Sequence, residues 1–181
     1  YKHEDIKALE GTQNDVELWK TVLTSEKYGF SEAHIVTLAN SQTDENLKPT
    51  RDNIIEKLED LAQTSQAGDI VFIAFSGHGV QLPNFDSLEK DPESDGKDEV
   101  LLAIDFHPTW VPERKSFEGC ITDDEFGEKL RAIYRKEGDK EVHLWVVIDS
   151  CNSGSATRSG EVARSAGEFN LEEHIPEDVR G

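Results

Sequence analysis

Two short polar segments of this 181-residue chain carry the residue types of nucleophilic catalysis. Ser76-Gly77-His78-Gly79 follows one apolar run, and Asp149-Ser150-Cys151-Asn152-Ser153-Gly154 follows another. A cysteine attacks as its thiolate, and a free thiol has a pKa of about 8.5, so it needs a base close at hand. His78 is a base of that kind. The glycines on both sides of it let the backbone bend sharply and approach a substrate closely. Cys151 is then the candidate nucleophile. The backbone N–H groups of Cys151 and Gly79 are candidate donors to a developing oxyanion, each such donor contributing about 2.7–4 kcal/mol. Taken singly, both motifs have plainer explanations. A lone buried cysteine is most often an inert small hydrophobe, and Gly-His-Gly alone describes a turn with a surface histidine. Their shared position just past two apolar runs argues for chemistry.

Those runs read as strands, and the pattern around them as alternating helices and strands. Asp15 to Thr24 predicts a helix with Val16, Trp19, Val22 and Leu23 on one face. His34 to Ala39 reads as a short strand. Thr50 caps a second helix with Ile54, Ile55, Leu58 and Leu61 on its buried stripe. Gly68 and Asp69 then turn into Ile70 to Phe75, a continuous apolar run suited to a parallel strand buried on both faces. Leu82 to Glu99 reads as an acidic loop and Val100 to Ile104 as a strand. Thr122 to Glu125 forms a capping box, opening a helix that buries Phe126, Leu130, Ile133 and Tyr134. Val142 to Ile148 is the most hydrophobic strand. From Asn152 onward the chain is polar and without clear periodicity. The alternation implies a mostly parallel sheet flanked by helices, an α/β fold whose ligands sit beyond the carboxyl ends of the strands. Both polar motifs lie at those ends.

Composition narrows the functional classes. The chain has 38 acidic and 19 basic side chains and a formal net charge of −19. That balance argues against a nucleic-acid backbone or an anionic membrane surface, and favours basic peptides or metal cations. No apolar run approaches the ~20 residues of a membrane span. Two cysteines without regular spacing, Cys120 and Cys151, do not make a secreted disulfide framework, and the expectation is a reducing, cytoplasmic setting. His3, His34, His107, His143 and His174 show no zinc-ligand spacing. Cys120 reads as an ordinary thiol. The start at Tyr1 suggests a fragment of a longer protein.

At this point the residues resemble a known family. Phe75-Ser-Gly-His-Gly-Val-Gln81 together with Ile148-Asp-Ser-Cys-Asn-Ser-Gly154 looks like the metacaspases, of the caspase-like cysteine peptidase clan. Leu9-Glu-Gly-Thr-Gln-Asn-Asp15, Asp95-Gly-Lys-Asp-Glu99 with Leu101 to Asp105, and Gly119-Cys-Ile-Thr-Asp-Asp124 match further family motifs in the same order. The resemblance implies a caspase-like fold, with a catalytic large-subunit domain over 1–151 and a flexible inter-subunit linker and processing region over 152–181. It implies an endopeptidase cleaving after arginine or lysine, with His78 as general base and Cys151 as nucleophile.

The family's acidic specificity pocket falls on Asp15 and Asp149, with Ser76 nearby, and a guanidinium does prefer a carboxylate fork. The plainer roles are a helix N-terminal carboxylate for Asp15 and a strand-end turn for Asp149. Calcium activation maps onto Asp98, Asp123 and Asp124. Calcium takes about 6–8 oxygen ligands, which adjacent carboxylates at a loop-to-helix junction help supply. Helix capping explains Asp123 and Asp124 equally well. Arg158, Arg164 and Arg180 are candidate sites of self-cleavage, since exposed polar segments are preferred nicking sites. A solvated linker accounts for the same composition.

The chain departs from the family in carrying Asn152 after the nucleophile, where histidine is common. The strand expected before the first helix is not found after Tyr1, and the small-subunit half is not found before Gly181. The expected partners are basic peptide substrates and the small-subunit portion of the same protein. Two rival expectations stand beside the peptidase. One is a catalytically silent caspase-like module that binds partners or senses calcium, and the other is a hydrolase of the same clan with a different pocket preference.

Overall fold

The structure, a computed structural model, describes residues 6, 8–9, 11–83, 97–134, 141–150 and 171–179. The chain order is α1 (Thr12–Thr24), α2 (Arg51–Thr64), β1 (Ile70–Ser76), β2 (Gly79–Pro83), β3 (Lys97–Val111), β4 (Ser116–Thr122), α3 (Asp123–Tyr134) and β5 (His143–Asp149), with short 3-10 turns between and after them. β1 and β5 pair in parallel from Ile70 opposite His143 to Ser76 opposite Asp149. β2, β3 and β4 form a three-stranded antiparallel sheet. The fold is thus mixed α/β, with a parallel pair and flanking helices.

Helices α2 and α3 start where a threonine side chain caps them, whereas α1 starts after Gly11 without a side-chain cap. Thr50 Oγ1 accepts from Asn53 N at 3.3 Å, and Thr122 Oγ1 accepts from Glu125 N at 3.3 Å. Each cap satisfies one of the backbone donors that a helix start leaves unpaired. Leu58 of α2, Val71 of β1, Leu101 of β3, Ile121 of β4 and Phe126 and Ile133 of α3 make one core, on which Ile54, Ile55, Leu61 and Leu130 pack. Tyr134 is exposed rather than buried, and its hydroxyl donates to the Glu141 carboxylate. A phenol reaches water at a helix end without cost to the core.

Four further expectations need correction. His34 to Ala39 is not a strand: Glu32–His34 is a 3-10 turn, and Ile35 to Ala39 runs without a ladder partner among the described residues. Apolar composition alone does not make a strand without a neighbour to bond. Secondly, β1 is only partly buried, with Ile70 exposed, because the described parallel sheet is two strands wide. Thirdly, Leu82, Pro83 and Lys97 to Glu99 belong to β2 and β3, which pair with each other at the ends of the acidic stretch. Finally, part of the region expected to be a flexible linker is packed. Leu171 and Ile175 are buried against Val80, Leu82, Val100 and Phe106, with Val179 beside them. Leu171 opens a 3-10 turn that ends at His174, and Ile175 follows directly after it.

β4 and the antiparallel sheet it completes were not visible as a pattern, because a glycine breaks the alternation. Gly119 has φ +70°, and a Cβ there would lie 2.4 Å from the Phe106 backbone. The β3–β4 register shifts in the same region, between Leu102 and His107. Gly119→Ala is therefore expected to destabilise the protein by about 3–5 kcal/mol, from left-handed strain plus a backbone clash. Urea unfolding checks this, and an unchanged midpoint would remove the argument.

Cys120, on the same strand, lies in the other core cluster. Desolvation pushes its thiol up to about 12, against the opposing hydrogen bonds of Ser116 and the Phe117 backbone. The folded value stands above the unfolded one. The stabilisation is therefore complete below the unfolded value of about 8.5 and is lost as pH rises from there toward the folded value. In a Cys151→Ala background, Cys120 is expected to resist iodoacetamide at mildly alkaline pH and to react once urea is added. Rapid labelling of the native protein, read by mass spectrometry, would contradict that burial.

Candidate active site

The site grows from the carboxyl ends of β1 and β5. Trp19 of α1 packs on Phe72 of β1, ring centroids 4.8 Å apart. One turn toward its N-terminus, α1 presents Asp15, and four residues further along β1 stands Ser76. Ser76 Oγ donates to Asp15 Oδ2 at 2.7 Å. The two contacts fix α1 antiparallel to β1, with its first turn at the strand's carboxyl end. Ser76 is also the register partner of Asp149. Asp15, Ser76 and Asp149, far apart in sequence, therefore meet at one edge, with a hydroxyl bonded to one carboxylate and in register with the other.

The chain next leaves the parallel sheet for the antiparallel one within two residues. Gly77 N donates to the Asp149 carbonyl at 3.2 Å, and Leu102 N donates to the His78 carbonyl at 3.0 Å. His78 is thus tied through its neighbours to β5 on one side and β3 on the other. Its side chain is 1% exposed. Gly79 begins β2, opposite Leu101. Cys151, two residues after the last residue of β5, lies outside the described residues, as do Asn152, Arg158, Arg164 and Arg180.

A groove of about 330 Å³ adjoins this edge, with Thr12, Gln13, Ser41, Ser76 and Gly77 in its wall. Ser41 Oγ donates to Gln13 Oε1 at 2.8 Å. Thr12 and Gln13 lie inside the motif that ends at Asp15, so their neighbourhood was legible. Ser41 had no signal in the sequence, since it sits in an irregular segment reached only through the fold.

The acidic residues expected to hold calcium take a different place. Val100 of β3 pairs with Thr122 of β4. Asp98 of β3 pairs with Leu82 of β2, while Asp123 and Asp124 open α3 directly after β4. Asp123 Oδ1 accepts from Asp124 N at 3.0 Å, a capping contact. Arg51 braces the same turn: its Nε donates to the Cys120 carbonyl at 3.0 Å and its Nη2 pairs with Glu125. Among the described residues no group of three His, Cys, Asp or Glu side chains is arranged to hold a metal ion. The acids Asp86, Glu89, Asp91, Glu93 and Asp95 lie outside the described residues. No described helix is long and apolar enough to cross a membrane.

Comparison with known proteins bears on the family of the chain. Residues 1–159 match a family model described as metacaspase, peptidase C14 domain. The chain is similar to Metacaspase-1 of Plasmodium falciparum, 37% identical over 150 residues, 82% of this chain and 22% of that protein. Metacaspase-1 of Eremothecium gossypii is 36% identical over 148 residues, 82% of this chain and 29% of its own length. Metacaspase-1A of Aspergillus niger is 34% identical over 148 residues, again 82% of this chain and 32% of its own. The chain thus spans less than a third of the length of each of these relatives. A crystal structure of a Geobacter sulfurreducens protein matches 60% of this chain and 33% of its own, at 28% identity and a TM-score of 0.38.

Proposed function

We propose, from the premise that this chain belongs to the metacaspase family of peptidases, that it is the large-subunit part of a cysteine endopeptidase cleaving after arginine or lysine. The observation that carries the reading is the meeting of Asp15, Ser76 and Asp149 at one strand edge, directly before His78. Two carboxylates at one edge suit a guanidinium or ammonium, which needs a paired countercharge when it leaves water. The Gly77-His78-Gly79 turn starts at the same edge, and Cys151 follows Asp149 by two residues in sequence.

In the proposed reaction the Cys151 sulfur attacks the scissile carbonyl and its thiol proton passes to His78. The C–N bond breaks as His78 gives that proton to the leaving amine. Water, deprotonated by His78, then hydrolyses the thioester and restores the thiol. The backbone N–H groups of Cys151 and Gly79 are the proposed oxyanion donors. Arg158, Arg164 and Arg180 are proposed sites of self-processing, with a basic residue as the shared requirement.

The proposed partner is the small-subunit portion of the same protein. Two facts support it. Among the described residues β5 pairs only with β1, and Trp145 and Ile148 on β5 are 56% and 48% exposed. A strand with one unpaired edge and large apolar side chains in water is a surface ready for another strand.

Calcium is the proposed activator. Asp98, Asp123 and Asp124 are the proposed hard oxygen donors, and the ion would neutralise and order the acidic start of α3 when bound. The remaining ligands would come from carbonyls, water or the acids outside the described residues. Calorimetric titration with calcium is expected to give saturable binding that Asp124→Asn weakens by about tenfold or more. A flat titration of the intact protein would remove calcium from the proposal.

The test of the whole reading is hydrolysis of a fluorogenic arginine peptide by the full-length protein, with calcium and with chelator, beside a Cys151→Ala variant. Calcium-dependent cleavage lost in the variant is expected. Cleavage indifferent to calcium would keep the peptidase and drop the ion. No cleavage by a folded, complete protein would favour a silent binding module.

A further inference from the structure

Residues 1–159 match the family model, so the packed segment from Leu171 to Val179 lies outside the match and takes no role from it. Its form is local. Leu171–His174 is a 3-10 turn, Ile175 N donates to the Glu172 carbonyl at 3.3 Å, and Val179 N donates to the Pro176 carbonyl at 3.0 Å. Single turns of this kind are marginal in water, because one hydrogen bond does not offset the ordering of its backbone. What fixes the segment is where it docks. Leu171 and Ile175 are each 3% exposed and close one core cluster with Val80 and Leu82 of β2 and Val100 and Leu102 of β3.

The strand so covered is the one that leads away from His78. β2 spans only five residues, Gly79–Pro83, and among the described residues it pairs on one side only, with β3. A short edge strand held by one ladder opens locally at little cost unless its apolar face is covered. Val80 follows His78 by two residues. Leu102, in the same cluster, donates its N–H to the His78 carbonyl at 3.0 Å. Leu171 and Ile175 thus back both residues that hold the His78 turn on its β2–β3 side. The other side is held separately, by Gly77 N on the Asp149 carbonyl.

We propose that the segment from Leu171 to Val179 is a positioning strap for His78. Docked on β2 and β3, it fixes the turn that carries the imidazole; released, it leaves that turn loose while the rest of the fold persists. It acts through Val80 and Leu102, so it is a positioning element and not part of the catalytic pair. Its effect on hydrolysis rests on the reading of His78 as general base, because a base must stay within hydrogen-bond reach of the proton it takes. The strap also gives the proposed self-cleavage sites unequal consequences. Arg158 and Arg164 precede it in the chain and Arg180 follows it. A cut after Arg158 or Arg164 leaves the strap held by its docking alone, whereas a cut after Arg180 leaves it tethered to the catalytic part.

The test compares Ile175→Ala and the milder Ile175→Val with the unmutated residue in the full-length protein. Hydrogen exchange is read by NMR at two amides of β3, in a Cys151→Ala background. Leu102 N–H bonds the His78 carbonyl, and Ile104 N–H, two residues on, donates to the Pro49 carbonyl at 3.0 Å. Ile175→Ala is expected to speed exchange at Leu102 by about tenfold or more with Ile104 unchanged, and Ile175→Val to do so by less. The valine variant decides the comparison where alanine unfolds the chain. Equal acceleration at both amides would make Ile175 an ordinary core residue, and no change at Leu102 would detach the segment from the turn; either result overturns the proposal. In the active protein, Ile175→Ala is expected to lower kcat for an arginine peptide by about tenfold to 10²-fold with KM little changed, and Ile175→Val to recover most of it. A loss confined to KM would overturn the positioning role. If the unmutated protein cleaves no arginine peptide, the peptidase reading fails by itself, and the exchange comparison decides whether the strap holds the turn.

Discussion

Cys151→Ala and His78→Ala are each expected to lower kcat/KM for an arginine peptide by about 10⁴-fold or more, and the double variant by little beyond either single one. The proposed dyad works as a unit. Without the base the thiol is mostly protonated at neutral pH, and without the sulfur there is nothing for the base to activate. Losses that multiplied, or a single loss below about tenfold, would separate the two residues and sink the dyad. His78 is almost fully buried, so alanine there also opens a cavity. His78→Gln keeps most of the volume and separates the two effects: unchanged circular dichroism with lost hydrolysis assigns the deficit to chemistry.

Asp15→Asn is expected to lower kcat/KM for arginine and lysine peptides by about 10²–10³-fold, the result of leaving a substrate cation without its full countercharge. Asp149→Asn is expected to act in the same direction. Asparagine keeps an oxygen that can accept from the Ser76 hydroxyl, which now donates to Asp15 Oδ2 at 2.7 Å. The local geometry therefore survives while the charge is lost. Ser76→Ala removes that contact but no charge, and a smaller loss, about tenfold, is expected of it. Peptides with a neutral residue at the cleavage position provide the control. If Asp15→Asn slows them equally, Asp15 supports the fold rather than reading the side chain. In that case its place in the first turn of α1, favourable to the helix dipole, is explanation enough.

These two predictions rest on residues that differ in how they were found. His78 and Cys151 stand out locally, as polar motifs just after apolar strands, because a strand run and its glycine-rich end are written in consecutive positions. The starts of α2 and α3 were legible for the same reason: Thr50 and Thr122 cap neighbours three residues away. The strand at His34 to Ala39 was misread because pairing depends on a second segment. The antiparallel sheet was missed because Gly119 interrupts the two-residue period that identifies a half-buried strand.

What consecutive residues could specify, then, was the family, the α/β class, the helix stripes and the chemistry-bearing types. Only the packed chain brought Asp15 to Ser76 across 61 positions, and set Ser76 beside Asp149 in the parallel register. Tertiary packing likewise buried Leu171 and Ile175, in a stretch that reads as solvated linker, against Val80 and Leu82. Propensity and capping act over three or four positions along the chain. Contact between distant segments is decided by which apolar faces bury one another, and that is a property of the whole fold.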